Sequence, residues 1–262
     1  GLGDVYKRQR SKQLSGIVNG IDYNVYNPKT DKDIAVNYSV EDAIKAKAVN
    51  KTALQKELGL EENPDAFMLG IVSRLTDQKG LDLVECVLDQ ICAEDVQLVV
   101  LGTGEGKYQD MFTYYSRKYP ERVSANIFYS EALSHRIYAS CDAFLMPSLF
   151  EPCGLSQLMS LRYGTLPIVR ETGGLRDTVT PYNEVDGTGT GFSFTNYNAH
   201  EMLAIIRYAK KTYFNDRKAW NEMVLRAMKQ DFSWDASARE YEKLYDGLIE
   251  EEARRKEAIR LQ

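Results

Sequence analysis

Residues 147–179 read PSLFEPCGLSQLMSLRYGTLPIVRETGGLRDTV and concentrate the side chains and turns able to do chemistry. Glu151 is a lone acid before a Pro-Cys-Gly turn, and helical spacing predicts a helix over residues 154–163. The free amides of Gly154, Leu155 and Ser156 would then point outward at the positive end of the helix dipole. A phosphate suits that position, and the Ser156 hydroxyl can add a bond. A carboxylate beside a phosphate is repulsive. Glu151 therefore makes sense if it accepts from sugar hydroxyls or faces positive charge developing at an anomeric carbon. The plainer alternative is an acid that stabilises only the helix dipole, worth about 0.3–1 kcal/mol. Thr172-Gly173-Gly174 forms a second glycine turn, able to cradle sugar hydroxyls. A ligand with both phosphate and hydroxyl groups, a nucleotide-sugar, is the first candidate.

Two cations, Arg74 and Lys79, lie five residues apart in SRLTDQKG, between a strand-like run and a helix. Arg can grip two phosphate oxygens while Lys acts as a movable point charge. The pair either pinches a diphosphate or belongs to an ordinary polar loop. Gly102-Thr103-Gly104-Glu105-Gly106 also follows a strand, but it lacks the full GxGxxG pattern and reads as a tight turn with at most a supporting role. Tyr129 either stacks on a base or sits at the rim of the core. His135 and His200 fall on helical stretches without metal-ligand spacing and read as structural.

The elements that must position these residues alternate. Strand-like runs fall at residues 66–73, 96–101, 123–129, 143–146, 166–169 and 191–194. Helical spacing covers residues 80–92, 105–119, 134–140 and 154–163, then 199–213, 217–229 and 235–262. Strands separated by helices predict an α/β fold, a Rossmann-like parallel sheet flanked by helices, with a helical C-terminal tail. Right-handed crossovers then gather the strands' C-terminal ends, and the ligand loops, on one edge. Residues 24–41 are polar and read as a surface loop.

Composition narrows the function classes. With 44% hydrophobic and 27% charged residues the chain can build an ordinary core, and 262 residues suit one large domain or two small ones. A net charge of −5 gives no basic surplus for a nucleic-acid partner. No apolar run approaches the roughly 18–20 residues that span a bilayer, so no membrane partner is expected. Of the four cysteines, none forms a CxxC pair; Cys86, Cys92 and Cys141 read as buried free thiols. Residues 1–9, GLGDVYKRQ, lack hydrophobic period and read as adapter or cloning sequence, or as the remnant of a preceding helix. The chain lacks an initiator Met and reads as starting mid-protein.

These motifs, in this order, resemble the C-terminal half of bacterial glycogen synthases and plant starch synthases. The matching pieces are SGIVNGID at 15–22, SRLTDQKGLDL at 73–83, LGTGE at 101–105 and YSEALSHRIYASCDAFLMPSLFEPCGLSQL at 129–158. YGTLPIVRETGGLRDTV at 163–179 and DFSWDASA at 231–238 complete the set. EPCGLSQL followed by RETGGLRDTV is highly specific.

The resemblance implies the C-terminal domain of a GT-B glycosyltransferase, two Rossmann-like domains facing across a cleft. It implies retaining transfer of glucose from ADP-glucose to the non-reducing end of an α-1,4-glucan, without a metal or other cofactor. By the same resemblance, Arg74 and Lys79 hold the diphosphate, with Gly154, Leu155 and Ser156 supplying amides; Ser156 stands where the bacterial family often has Thr. Tyr129 contacts the adenine. Glu151, Cys153, Thr172 and Gly173 surround the donor glucose, with Glu151 as catalytic residue, and Asn19 reaches it from the interdomain segment. Many retaining GT-B transferases carry a second glutamate eight residues after the first; here Met159 stands there, as in glycogen and starch synthases.

The family's N-terminal domain, with its KTGGL loop, has no counterpart in the chain; Glu171 precedes Thr172-Gly173-Gly174-Leu175 where that loop has Lys. The implied organisation is residues 10–234 as donor-binding domain and 235–262 as a helix that crosses to the N-terminal domain. The chain alone is expected to have negligible activity, because half a cleft neither positions both substrates nor excludes water. The implied location is cytoplasmic, or plastid for a plant protein. The competing readings are a UDP-sugar-dependent GT-B hexosyltransferase and a non-catalytic nucleotide-sugar or glucan-binding module.

Overall fold

The computed structural model describes residues 14–260. Residues 1–9, expected to be non-native, lie outside them. The described residues fall into two units: one is Asp22–Gln230, the other joins the residues up to Ile21 with those from Asp231 onward.

In the larger unit six apolar runs form the strands β1 (Phe67–Val72), β2 (Val96–Leu101), β3 (Val123–Asn126), β4 (Ala143–Met146), β5 (Leu166–Arg170) and β6 (Phe192–Phe194). All neighbours pair in parallel, in the order β3-β2-β1-β4-β5-β6. The order reverses between β1 and β4. In such sheets the crevice beyond the strand C-termini at that reversal takes the ligand. Strands β1, β2 and β4 are buried almost throughout, as a parallel sheet covered on both faces requires.

The covering helices are α1 (Ala43–Leu58), α2 (Leu81–Ala93), α3 (Gly106–Lys118), α4 (Glu131–Ser140), α5 (Ser156–Arg162), α6 (Gly173–Thr178), α7 (Ala199–Asn215) and α8 (Arg217–Met228). Helix α1 packs on α4, and Leu54, Met68, Val99, Ile137 and Cys141 form a core cluster there. Gly70 on β1 admits this packing, since a Cβ would lie 2.9 Å from the Cys141 sulfur. Helix α2 packs against α7.

Several elements differ from the sequence expectation. Helix α1 has no obvious apolar stripe, because its buried residues include Lys47, Asn50, Lys51 and Gln55. Each is hydrogen-bonded: Lys47 Nζ donates to the Tyr138 and Ala139 carbonyls and to Thr165, while Lys51 pairs with Asp142 at 2.7 Å. Asn50 holds the backbone at Val36, and Gln55 donates to Gln97. Most buried polar groups in folded proteins are satisfied in this way.

Residues 24–41 carry neither helix nor strand and are mostly exposed, as a surface loop would be, but Pro28, Asp31, Ile34 and Tyr38 are buried and anchor the segment. Tyr38 is buried and donates to the Tyr163 carbonyl, and Asp31 accepts from Tyr163 and contacts His135 Nδ1. Burial works against the Asp31 charge, but those hydrogen bonds hold its carboxyl below the ordinary value. The ligand atoms of Asp31, Asp33 and His135 lie within 4.8 Å of one another, with the Asp31 oxygens already engaged by His135, Tyr163 and the Asp33 amide. Among the cysteines, Cys92 and Cys141 are buried as expected, but Cys86 is exposed. The buried face of α2 runs through Leu83, Val84, Val87 and Leu88 and leaves position 86 outside.

In the smaller unit, Ile21 donates to the Phe232 carbonyl, and helix α9 (Trp234–Arg260) docks through Ser237, which donates to Val18. Gly20 lies where any Cβ would meet the Trp234 backbone at 2.4 Å. Among the described residues, no helix is long and apolar enough to cross a membrane.

Candidate donor site

Three loops leave the C-terminal ends of β1, β4 and β5 and meet at the sheet edge. Glycines permit the meeting. Gly80 has φ +71° and sits where a Cβ would lie 2.0 Å from the Pro147 carbonyl oxygen, so the loop after β1 is pressed on the loop after β4. Gly174 faces the Cys153 carbonyl oxygen, 1.9 Å from the position of a Cβ, and its amide donates to the Glu151 and Pro152 carbonyls. The close approach that Gly173 and Gly174 allow is therefore to the chain's own Glu151–Cys153 turn. The LGTGE glycines act similarly: a Cβ on Gly102 or Gly104 would strike the carbonyl of Ser73 or Leu75. They seat the loop that carries Arg74.

Asp77 fixes that loop from the other side. Its carboxylate accepts from Lys107 at 2.6 Å and from Tyr108, and its amide donates to Glu105. Two hydrogen bonds, from Lys107 and Tyr108, keep the Asp77 carboxyl below its ordinary value.

Two adjoining cavities occupy the crevice. The larger, ≈ 290 Å³, has Phe128, Tyr129 and Glu131 at one end and Arg74 and Ser156 at the other. The smaller, ≈ 190 Å³, shares Arg74 and Ser156 and continues to Lys79 and Ser148. The groove thus runs from an aromatic end, past a guanidinium and a hydroxyl, to an ammonium group. Tyr129 is 85% exposed, with its ring free for a planar partner.

The groove leads to Glu151, which is only 8% exposed. Its carboxylate forms an ion pair with Lys79 Nζ at 2.5 Å and accepts from Ser148 Oγ at 3.3 Å. The sequence suggested separate tasks for Lys79 and Glu151; in the structure they are partners.

The turn after Glu151 departs from a simple helix start. Gly154 is left-handed, φ +69°, and α5 begins only at Ser156, so Gly154 precedes the helix instead of opening it. The Gln157 side chain holds this turn, donating to the Cys153 and Gly154 carbonyls and to Thr178. Ser156 also lies against the Tyr138 hydroxyl.

Not every expected site residue joins the groove. Thr172 precedes α6, and Gly173 lies against the Glu151 carbonyl, both beside the Glu151 turn and outside the two cavities. Cys153 is partly exposed in the turn itself. Asn19 is exposed in the smaller unit. Sequence reasoning missed Tyr26, Phe128 and Ser148. Tyr26 sits in a segment with no periodic signal, and Phe128 was absorbed into an expected strand that ends at Asn126.

A parallel sheet in this order with a groove at its reversal point is a Rossmann-like domain, the architecture of each half of a GT-B glycosyltransferase. The chain belongs to the glycosyl transferases group 1 family, matched over residues 51–224. It is 69% identical over 245 residues to a glycogen synthase of Lachnospira eligens, covering 94% of this chain and 51% of that protein. A glycogen synthase of Clostridium acetobutylicum is 55% identical over 242 residues, covering 92% and 50%. The chain spans about half the length of the curated relatives it matches. The catalytic domain of starch synthase IV from Arabidopsis thaliana, solved bound to ADP and acarbose, superposes with a TM-score of 0.84 at 35% identity, covering 92% of this chain and 50% of that one. HepE of Anabaena, solved with UDP and glucose, shares the fold at TM-score 0.64 and 20% identity.

Proposed function

We propose that this chain supplies the donor-binding half of an ADP-glucose-dependent glycogen (starch) synthase, which transfers glucose with retention to the non-reducing end of an α-1,4-glucan. The observation that carries the proposal is the order of groups along the groove: an exposed aromatic ring, then Arg74 with Ser156, then Lys79, then Glu151. Base, diphosphate and sugar follow one another in the same order in a nucleotide-sugar.

Tyr129 stacks on the adenine. Arg74, the Ser156 hydroxyl and the amides of Gly154, Leu155 and Ser156 take the diphosphate, and Lys79 reaches it from beside Glu151. In the reaction the bond from the anomeric carbon to the β-phosphate oxygen breaks, and its electron pair stays on ADP. A bond to the acceptor's O4 forms, and the acceptor proton passes to the departing phosphate. The cations and amides lower the barrier by stabilising the negative charge that develops on ADP. Glu151, with Cys153, Thr172 and Gly173 around it, accepts from glucose hydroxyls and faces the positive charge at the anomeric carbon. No metal or other cofactor enters this scheme. Asn19, the glucan acceptor and the N-terminal half of the relatives complete it from outside the groove, and the setting is cytoplasmic.

Titration calorimetry with ADP-glucose and UDP-glucose side by side tests the donor. ADP-glucose is expected to bind at least about tenfold tighter. Equal or tighter binding of UDP-glucose overturns the ADP assignment and favours the UDP-sugar alternative.

A further inference from the structure

Arg170 is the last residue of β5, at the edge where the ligand loops meet. Its guanidinium does not line either cavity of the groove. It reaches back across the sheet edge to the loop after β4. Nε donates to the Ser148 carbonyl at 2.9 Å, and Nη2 donates to the carbonyl of Leu149, the next residue. Nη1 points to the Thr195 carbonyl at 3.5 Å, and the guanidinium lies 5.6 Å from the centre of the Tyr197 ring. Tyr197 is itself held by Asp82.

Ser148 is buried, and its hydroxyl donates to the Glu151 carboxylate. The two ends of the Pro147–Ser156 turn therefore have different anchors. Gln157 holds the downstream end at Cys153 and Gly154, where the phosphate amides lie. Arg170 holds the upstream end, where the chain sets the direction of Glu151. We propose that Arg170 is a positioning residue for Glu151, and thereby for recognition of the donor's sugar as distinct from its nucleotide.

A planar fork is needed for this task. Two donors fixed in one plane can meet two consecutive carbonyls, which a single ammonium group cannot do with the same geometry. Arg170 touches neither Arg74 nor Tyr129 and reaches Lys79 only through Glu151, whose charge its loss leaves unaltered, so ADP binding should change little.

The inference rests on the donor-site reading, and the test separates the two. Unaltered chain, Arg170→Met and Arg170→Lys are titrated with ADP and with ADP-glucose, and ligand-free thermal unfolding is recorded for each. Both variants should bind ADP within about twofold of the unaltered chain, while the ratio of ADP-glucose affinity to ADP affinity falls about fivefold or more in Arg170→Met. Arg170→Lys should recover less than half of that loss. Hydrogen exchange supplies a ligand-independent reading: the Leu149 amide, which donates to the Gln78 carbonyl, should exchange faster in Arg170→Met while the β4 amides do not change. An unchanged affinity ratio, or an equal fall for both ligands, overturns the positioning role. Failure of the unaltered chain to bind either ligand overturns the donor-site reading itself.

Discussion

One ammonium group serves two anions at this site. Lys79 pairs with Glu151, and the proposed diphosphate must draw it away. Two opposite predictions follow from that competition. Lys79→Met should weaken ADP binding about tenfold, the worth of one charge-assisted bond. Glu151→Gln should strengthen ADP binding about threefold by freeing Lys79, and the gain should shrink as salt is added. Calorimetry at low and high ionic strength measures both; unchanged or weaker ADP binding in Glu151→Gln would show that the ion pair does not compete. The two residues were legible in the sequence as candidates, but their partnership was not. They lie 72 residues apart on different loops, and only the reversal in strand order brings those loops together. Gly173 and Gly174 were legible as a place of close backbone approach; that the backbone approached there is the chain's own Glu151–Cys153 turn was not. Gly174→Ala should therefore destabilise the fold by about 2 kcal/mol or more, since its methyl has only a backbone carbonyl to displace. Gly106→Ala, at the start of α3 with open space around it, should stabilise by about 0.4–1 kcal/mol. Chemical denaturation of the two variants checks the contrast.

Among the elements, strands announce themselves and α1 does not. The apolar runs of β1, β2 and β4 have no other plausible use than a covered parallel sheet, so sheet and edge could be read directly. Helix α1 hides because its inward face spends buried positions on Lys47, Asn50, Lys51 and Gln55. A pattern argument sees polar residues and expects water. Only the carbonyls and side chains that meet them, from distant parts of the chain, explain the burial. Spacing predicts α5 from residue 154, two residues before its start at Ser156, because glycine's left-handed backbone at 154 cannot be read from spacing. The buried amine of α1 has a measurable consequence. Burial pushes Lys47 down from 10.5 to about 7. Between those values the unfolded chain holds a proton that the folded chain has released, so the Lys47 contribution to stability rises with pH across that window. Below about pH 7 the ammonium is charged in both states and adds no slope. Lys47→Met should remove this rise. Denaturant unfolding of both proteins from about pH 7 to about pH 10 measures the difference; parallel curves would mean that Lys47 keeps its charge when buried.

At the scale of the whole molecule, the smaller unit raises a question that the donor groove does not. Helix α9 is 27 residues long, yet Ser237 is its one buried residue among those described. From Tyr241 to Arg260 every residue is exposed except half-buried Leu244. The exposed set includes Tyr245, Leu248, Ile249 and Ile259, large apolar side chains that a stable soluble helix normally covers. A helix without a packed face depends on its own marginal propensity, even where Lys243–Glu240 and Lys256–Glu252 pairs support it. The chain spans about half the length of its curated relatives, and the expectation drawn from the glycogen synthase resemblance is that this helix packs on their other half. The expected outcome is a gradient of hydrogen exchange. Amides of α9 beyond Tyr241 should exchange at least about a hundredfold faster than those of β1 and β2, as befits local opening near zero cost against near-global unfolding. Adding the N-terminal half of a close relative as a separate chain should slow exchange along α9 and leave the central strands unaltered. Slow exchange of α9 in the chain alone would mean that its apolar side chains are already covered, and that the partner assigned to it is not needed.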